Sequence, residues 1–185
     1  MPNYPAVDSN TLTYLLDAVS TNGYDPALDT SGLVDERLAM VWCFFYGNCS
    51  PWVPPTAQRE YERIRSSEKR ERHQRWTIGL LQDAPLRTPE EDIQRRAAEL
   101  LQYHNKAADC RIVTETEFAG LDVLLSCDHQ LRRLQPYTRA RILKPTEFWQ
   151  SLGITEEPDS VIMPAPGNPL RDKSWWRKKW PIPTR

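Results

Sequence analysis

The stretch Asp109–Asp128, with the sequence DCRIVTETEFAGLDVLLSCD, decides which fold the sequence predicts. Its first part, up to Gly120, is typical of a helix that begins at an acid. Val123–Leu125 is a short apolar run typical of a buried strand, and Asp128 follows it closely. An acid at a helix start and an acid just past a buried strand can meet at one edge of a parallel sheet.

Segments typical of helices and strands alternate along the rest of the chain. Short apolar runs predict strands at 27–29, 51–54, 123–125 and 140–143. Apolar spacing and helix-start signals predict helices at 34–46, from Thr56, from Thr88, at 109–120, near 130–134 and from Pro145. This alternation indicates an α/β fold with a central, mostly parallel sheet that is flanked by helices.

Composition divides the chain into three parts. The sequence has 185 residues with 16 prolines against 7 glycines, and many of the prolines fall near the two ends. We therefore expect an N-terminal extension at 1–24, a main domain at 25–152 and a proline-rich, basic-aromatic tail at 153–185. A short helical patch around Leu12, Leu15 and Leu16 can dock the extension on the domain.

The charge balance excludes a protein that attracts nucleic acid through a global basic field. The formal net charge is -1, so a polyanionic substrate would have to be held by local clusters and by metal. No signal peptide is visible at the N-terminus, and no apolar run approaches the length that spans a membrane. The four cysteines lack the spacing of a disulfide framework, so we expect a cytoplasmic protein with reduced thiols.

Four carboxylates are candidate ligands of a hard divalent cation. Asp29 is predicted to end the first strand, Asp128 follows the strand at 123–125, Asp109 begins a helix, and Glu60 lies at the margin of a buried helix face. Carboxylates that are brought together repel one another unless a cation neutralises them, and Mg²⁺ or Mn²⁺ does so. A water on such a cation can attack phosphorus. The alternative for each single acid is a helix cap or a surface charge.

These acids and their neighbours resemble the motifs of the PIN-domain nucleases, a family that includes the VapC-type toxins of bacterial type II toxin–antitoxin pairs. The resemblance covers roughly residues 25–152. The residues that carry it are Leu28-Asp29-Thr30-Ser31, Glu60 in its helix, Asp109 with Ile112, Thr116 and Gly120, Leu124-Leu125-Ser126-Cys127-Asp128, and 142–148. Relatives usually have threonine at the position of Ser126.

The resemblance implies a PIN-like three-layer sandwich and a Mg²⁺- or Mn²⁺-dependent endoribonuclease. Asp29, Glu60, Asp109 and Asp128 would bind the metal and carry catalysis, and Ser126 would orient the acids or a bound water. It also implies RNA as the substrate and leaves an antitoxin partner and a homodimer open.

A second interpretation is a PIN-like module that has weak or no catalysis and binds RNA or a protein partner. Gln130 favours it, because many relatives carry a further acid or Asn at this position. The extended termini favour it as well, since they exceed a minimal domain of this family.

Three other features receive a less specific interpretation. The charge run 65–75 is predicted to be a solvated helix or arm, with RNA contact as the alternative. Trp175, Trp176 and Trp180 are expected to pack on this domain or on a partner, with stacking on single-stranded RNA as the alternative. Cys43 and Cys49 match no common zinc spacing, and Cys43 falls in an apolar helix.

Overall fold

The computed structural model describes residues 4–20, 25–47, 49–63, 66–68, 70–71 and 86–154, together with Ser174 and Arg177. The predictions for Trp175, Trp176, Trp180 and most of the charge run 65–75 therefore lie outside the described residues.

A three-stranded parallel sheet lies at the centre of the described part of the chain. Its strands stand in the order β1 (Ala6–Val7), β2 (Val123–Leu125) and β3 (Arg141–Leu143). Ala6 pairs with Leu124, and Leu124 pairs with Ile142. On the other side of β1, Trp52 forms an isolated parallel bridge with Ala6. The three strands share one direction, so their carboxyl ends lie along one edge of the sheet.

Six longer helices surround this sheet within the described residues: α1 (Ser9–Ser20), α2 (Val34–Phe45), α3 (Pro55–Glu62), α4 (Glu90–Leu100), α5 (Ala107–Phe118) and α6 (Pro145–Ser151). Two 3₁₀ segments, Pro26–Leu28 and Leu131–Tyr137, are also present, and the described residues 67–68 and 70–71 are helical. None of the helices in these ranges is long and apolar enough to cross a membrane.

Successive residues of the strands contribute to two separate apolar cores, one on each face of the sheet. Val7 and Leu125 pack with residues of α1, α2 and α6, including Leu12, Leu16, Val41 and Trp149. Ala6, Leu124 and Ile142 pack with residues of α4, α5 and the second 3₁₀ segment, including Leu100, Ile112 and Leu134. A parallel sheet that is covered on both faces needs apolar residues at every strand position, which explains the continuous run in β2.

The coarse prediction of an α/β fold with a parallel sheet and flanking helices is confirmed. The strand predicted at 123–125 and the helix predicted at 34–46 are present, the latter as Val34–Phe45. The helix that was expected to begin at Asp109 starts two residues earlier, at Ala107, and Asp109 lies in its first turn.

Two predictions about the N-terminal part are wrong. Residues 27–29 do not form a strand: Asp25 accepts a hydrogen bond from the Ala27 amide at 2.9 Å, and Pro26–Leu28 is a 3₁₀ helix. Leu28 is 77% exposed, so this run is not the buried strand that its apolar residues indicated. The described residues 4–20 are not an extension either, because β1 pairs with β2 and α1 contributes Leu12, Leu15 and Leu16 to the core.

The carboxylate of Glu115 joins α3 to α5 inside the protein. Its side chain is 1% exposed and accepts hydrogen bonds from the Thr56 amide at 2.8 Å and from the Thr56 hydroxyl at 2.7 Å. Arg111 Nε donates to the same carboxylate at 3.0 Å, which compensates the cost of burying its charge. Because α3 carries Glu60 and α5 carries Asp109, this contact fixes the relative position of two candidate site residues.

We predict that Glu115→Ala lowers the free energy of unfolding by about 3 kcal/mol, since it orphans the Thr56 donors and removes a partner of Arg111. Glu99→Ala is the matched control, because Glu99 is exposed and its side chain pairs with Arg96 at the surface. The control should change the same quantity by less than about 0.5 kcal/mol. Urea-induced unfolding measures both, and equal losses would contradict the assigned role of Glu115.

Candidate active site

A cleft of about 420 Å³ opens at the carboxyl ends of β1 and β2. Side chains that can bind a cation or donate to an anion line it together. The lining residues that matter for its chemistry are Asp8, Ser9, Glu60, Lys106, Asp109 and Asp128. Its polar lining lies at the edge of the sheet where ligands bind in open α/β folds.

Asp8 is the most buried acid of the cleft. It follows β1 directly, its amide donates to the Leu125 carbonyl at 3.2 Å, and its residue exposure is 4%. The Thr11 amide donates to Asp8 Oδ1 at 2.6 Å, so the side chain also caps the start of α1. Burial raises the pKa of Asp8, and the nearby charge of Asp109 adds to this rise, whereas the hydrogen bonds from Ser126 and Thr11 oppose it.

Ser126 connects the two strand ends that carry the acids. Its hydroxyl donates to Asp8 Oδ2 and accepts a hydrogen bond from the Asp128 amide at 3.0 Å. The residue is fully buried, and its own amide donates to the Leu143 carbonyl at 3.0 Å, which continues the sheet toward β3. A serine at this position therefore sets the orientation of Asp8 and the backbone position of Asp128.

Asp109 and Asp128 share one positively charged partner. Lys106 Nζ lies 2.9 Å from Asp128 Oδ2 and 3.5 Å from Asp109 Oδ2. Asp109 Oδ2 is also 2.7 Å from Nε2 of the buried His104. The hydrogen bond to Asp128 raises the pKa of Lys106, and the charge of Asp109 adds to it. Burial acts to raise the pKa of Asp128, but the contact with Lys106 and backbone donors outweighs it, and the net shift is downward.

Glu60 completes the acidic lining from the side of α3. The hydroxyl of Ser9 donates to Glu60 Oε2 at 2.7 Å, and the glutamate is half-buried. Ser9 directly follows Asp8, so this bond holds Glu60 at the same strand end as the buried acid.

The structure brings together three of the four acids that the sequence singled out. Glu60, Asp109 and Asp128 line the cleft, and Ser126 bonds within it. Asp29 does not line the cleft, so its prediction as the partner of these acids is wrong. Its carboxylate pairs with Arg37 at 2.8 Å and accepts from the Ser31 amide at 2.8 Å, because the segment before it forms a turn instead of a strand.

Sequence reasoning missed Asp8, His104 and Lys106. The signal for Asp8 is the order Ala6-Val7-Asp8-Ser9, a short apolar pair followed by a capping acid and an apolar helix. Two strand residues are too few for a strand pattern, and their position near the N-terminus led to their assignment to an extension. No comparable pattern marks Lys106, since its closer partner, Asp128, lies 22 residues away in sequence.

The donor set fits a hard divalent cation. Carboxylate oxygens are the ligands that Mg²⁺ and Mn²⁺ prefer, and the ammonium of Lys106 already stands between two of them as a cation. In the part of the chain that the structure describes, the carboxylates stand too far apart for three or more His, Cys, Asp or Glu side chains to hold one metal ion. A bound ion would therefore draw these side chains closer together.

The cysteines do not contribute a nucleophile or a zinc site to the described structure. Cys43 and Cys49 are buried in the core around α2. Cys127 lies next to Asp128, but burial raises the pKa of its thiol to about 12, so the reactive thiolate is scarce at neutral pH.

Comparison with known proteins gives no family for this chain. No family model matches it, and a search of curated proteins finds no match.

We predict that Asp8→Asn raises the free energy of unfolding at pH 7 by about 1 kcal/mol in metal-free buffer. The pKa of Asp8 is raised in the folded protein, so its favourable contribution is complete below the unfolded pKa and is lost as the pH rises through the folded pKa. Asparagine removes the buried charge and keeps an oxygen for the Thr11 amide.

Urea unfolding between pH 3 and pH 8 measures this effect, and the advantage of the variant should shrink toward acid pH. The control is Asp122→Asn, because Asp122 is exposed just before β2, at the other end of the sheet. A variant Asp8→Asn that is less stable than wild type at pH 7 would contradict the cost assigned to the buried carboxylate.

Proposed function

We propose that this protein is a metal-dependent endoribonuclease that hydrolyses phosphodiester bonds in RNA. One observation carries the proposal: a buried aspartate after β1, Asp8, shares a cleft with Asp109, Asp128 and Glu60 at the carboxyl edge of a parallel sheet. Burial and the charge of Asp109 both raise the pKa of Asp8, which supports a role for this carboxylate beyond the cap of α1.

Asp8, Asp109 and Asp128 are the residues that would hold the cation, and Glu60 stands beside them. When bound, Mg²⁺ or Mn²⁺ supplies a Lewis acid that activates water and stabilises negative charge on phosphate oxygens. Ser126 keeps Asp8 in place through its hydroxyl, and His104 keeps Asp109 in place through Nε2. These contacts restrain the carboxylates of Asp8 and Asp109 before any ligand enters.

A PIN-type arrangement is the finer fold that we propose for this α/β architecture. The closing motif at 142–148 lies on β3 and α6, and Ser126 directly follows β2, which supports this proposal. Asp8, and not Asp29, takes the place of the first acid in this proposal. The RNA substrate, an antitoxin partner, a toxin role and a homodimer belong to the proposal through the resemblance alone.

The second candidate function is a PIN-like module that binds RNA or a protein partner without cutting. The ion pairs of Lys106 favour it, because an internal ammonium already neutralises part of the acidic cleft. Metal dependence separates the two candidates, since a binding module needs no divalent cation for its contacts.

We predict cleavage of single-stranded RNA that requires Mg²⁺ or Mn²⁺ and stops in EDTA. Asp8→Asn and Asp128→Asn should each lower the rate at least about 100-fold, because each removes a negative charge from the cleft and keeps the shape of the side chain. The measurement is the cleavage rate of a fluorescent RNA, with circular dichroism as the test of folding.

Asp29→Asn is the matched control, because it makes the same chemical change at an acid that pairs with Arg37 outside the cleft. Its activity should stay within about threefold of wild type, as expected for a substitution away from the site. Loss of cleavage in Asp29→Asn but not in Asp8→Asn would overturn the assignment of the cleft.

A further inference from the structure

Lys106 has no role in the proposed hydrolysis, although it contacts two of the candidate metal ligands. Its side chain is 48% exposed, it directly precedes α5, and its Nζ reaches both Asp109 Oδ2 and Asp128 Oδ2. The two acids come from different parts of the chain, and Lys106 is the cation that joins them in the described structure. An ordinary surface ion pair has one partner, whereas this ammonium stands between two candidate metal ligands.

The remaining contacts of the two acids hold them in this arrangement. Asp128 Oδ1 accepts from the Gln130 amide at 2.7 Å, and the Asp128 amide donates to Ser126. Nε2 of the buried His104 contacts Asp109 at 2.7 Å, on the same Oδ2 that faces Lys106. Both carboxylates are thus tied to the protein, and each turns Oδ2 toward Lys106. A divalent cation that binds the Oδ2 atoms of these acids competes with Lys106 for them.

We propose that Lys106 is an internal counter-ion that competes with a divalent cation for Asp109 and Asp128 and so sets the concentration at which the site takes up metal. This inference rests on the proposed metal-dependent function. Without metal, the ammonium screens two carboxylates that would otherwise repel each other. With metal, the ammonium must leave, because two cations within about 4 Å of each other repel strongly.

The geometry permits this exchange. Lysine has a long flexible stem, and half of this side chain is already in solvent, so Nζ can swing out of the cleft without breaking the core. Metal uptake is then a displacement, and its apparent affinity is lower than that of the same carboxylates without the lysine. The coupling is reciprocal, so metal also weakens the hold of the acids on Lys106.

The test measures Mn²⁺ affinity by isothermal titration calorimetry on the full chain without RNA. Lys106→Met keeps the length of the side chain and removes its charge, and it should bind Mn²⁺ roughly fivefold more tightly than wild type. Lys106→Gln should behave in the same way, and Lys106→Arg should stay near wild type because it keeps a cation. Arg141→Met is the control for net charge, since Arg141 is exposed at the other end of β3.

Thermal unfolding gives a second readout that does not depend on activity. In EDTA, Lys106→Met should have a lower Tm than wild type, and saturating Mn²⁺ should raise its Tm by more than it raises that of wild type.

If Lys106→Met binds Mn²⁺ no more tightly than Arg141→Met does, the proposed counter-ion role of Lys106 is wrong. If all variants bind Mn²⁺ equally, the cation site stands and only the counter-ion fails. If neither the wild type nor any variant binds Mn²⁺, both the counter-ion and the proposed metal-dependent function fail.

Discussion

The hydrogen bond between Ser126 and the buried carboxylate of Asp8 is the contact on which the rest of the site depends. It joins the ends of β1 and β2, which are adjacent in the sheet and far apart in sequence. Asp8 also caps α1 and continues the backbone pairing to Leu125, so one residue fixes a strand end, a helix start and a proposed metal ligand. The amide of Asp128 completes this arrangement on the same serine hydroxyl.

The acids of the cleft differ in how their surroundings shift their pKa values. Asp8 is buried with neutral donors only, and its pKa is raised by burial. Asp128 is more exposed and has Lys106 beside it, and its pKa is lowered. Carboxylates with such different environments are typical of functional sites, which supports the role that we propose for the cleft. The raised pKa of Asp8 supports the functional role that we propose for this acid.

The sequence predicted the parts of the fold that have strong local patterns. Apolar patterns and helix-start signals predict the strand Val123–Leu125 and the helix after Pro145. The same signals single out Asp109 and Asp128, and the structure places both acids in one cleft. β1 was missed because two residues carry no period, and pairing with β2 supplies the strand that local preference does not. The sequence favours Asp29 instead, because Ala27-Leu28 resembles the end of a buried strand. In the structure Leu28 is exposed and Pro26–Leu28 is a 3₁₀ helix, so no strand ends at Asp29. Contacts such as that of Lys106 with Asp128 depend on tertiary placement and leave no mark in sequence.

Anomalous diffraction at the manganese edge from crystals soaked in Mn²⁺ tests the central claim most directly, because it locates the ion without reference to activity. We predict a peak in the cleft within coordination distance, about 2.0–2.3 Å, of carboxylate oxygens of Asp8, Asp109 and Asp128, with Lys106 Nζ moved away from both acids. A peak at the Asp29–Arg37 pair, or a cleft without a peak at saturating Mn²⁺ with Lys106 still bound to Asp109 and Asp128, would contradict it.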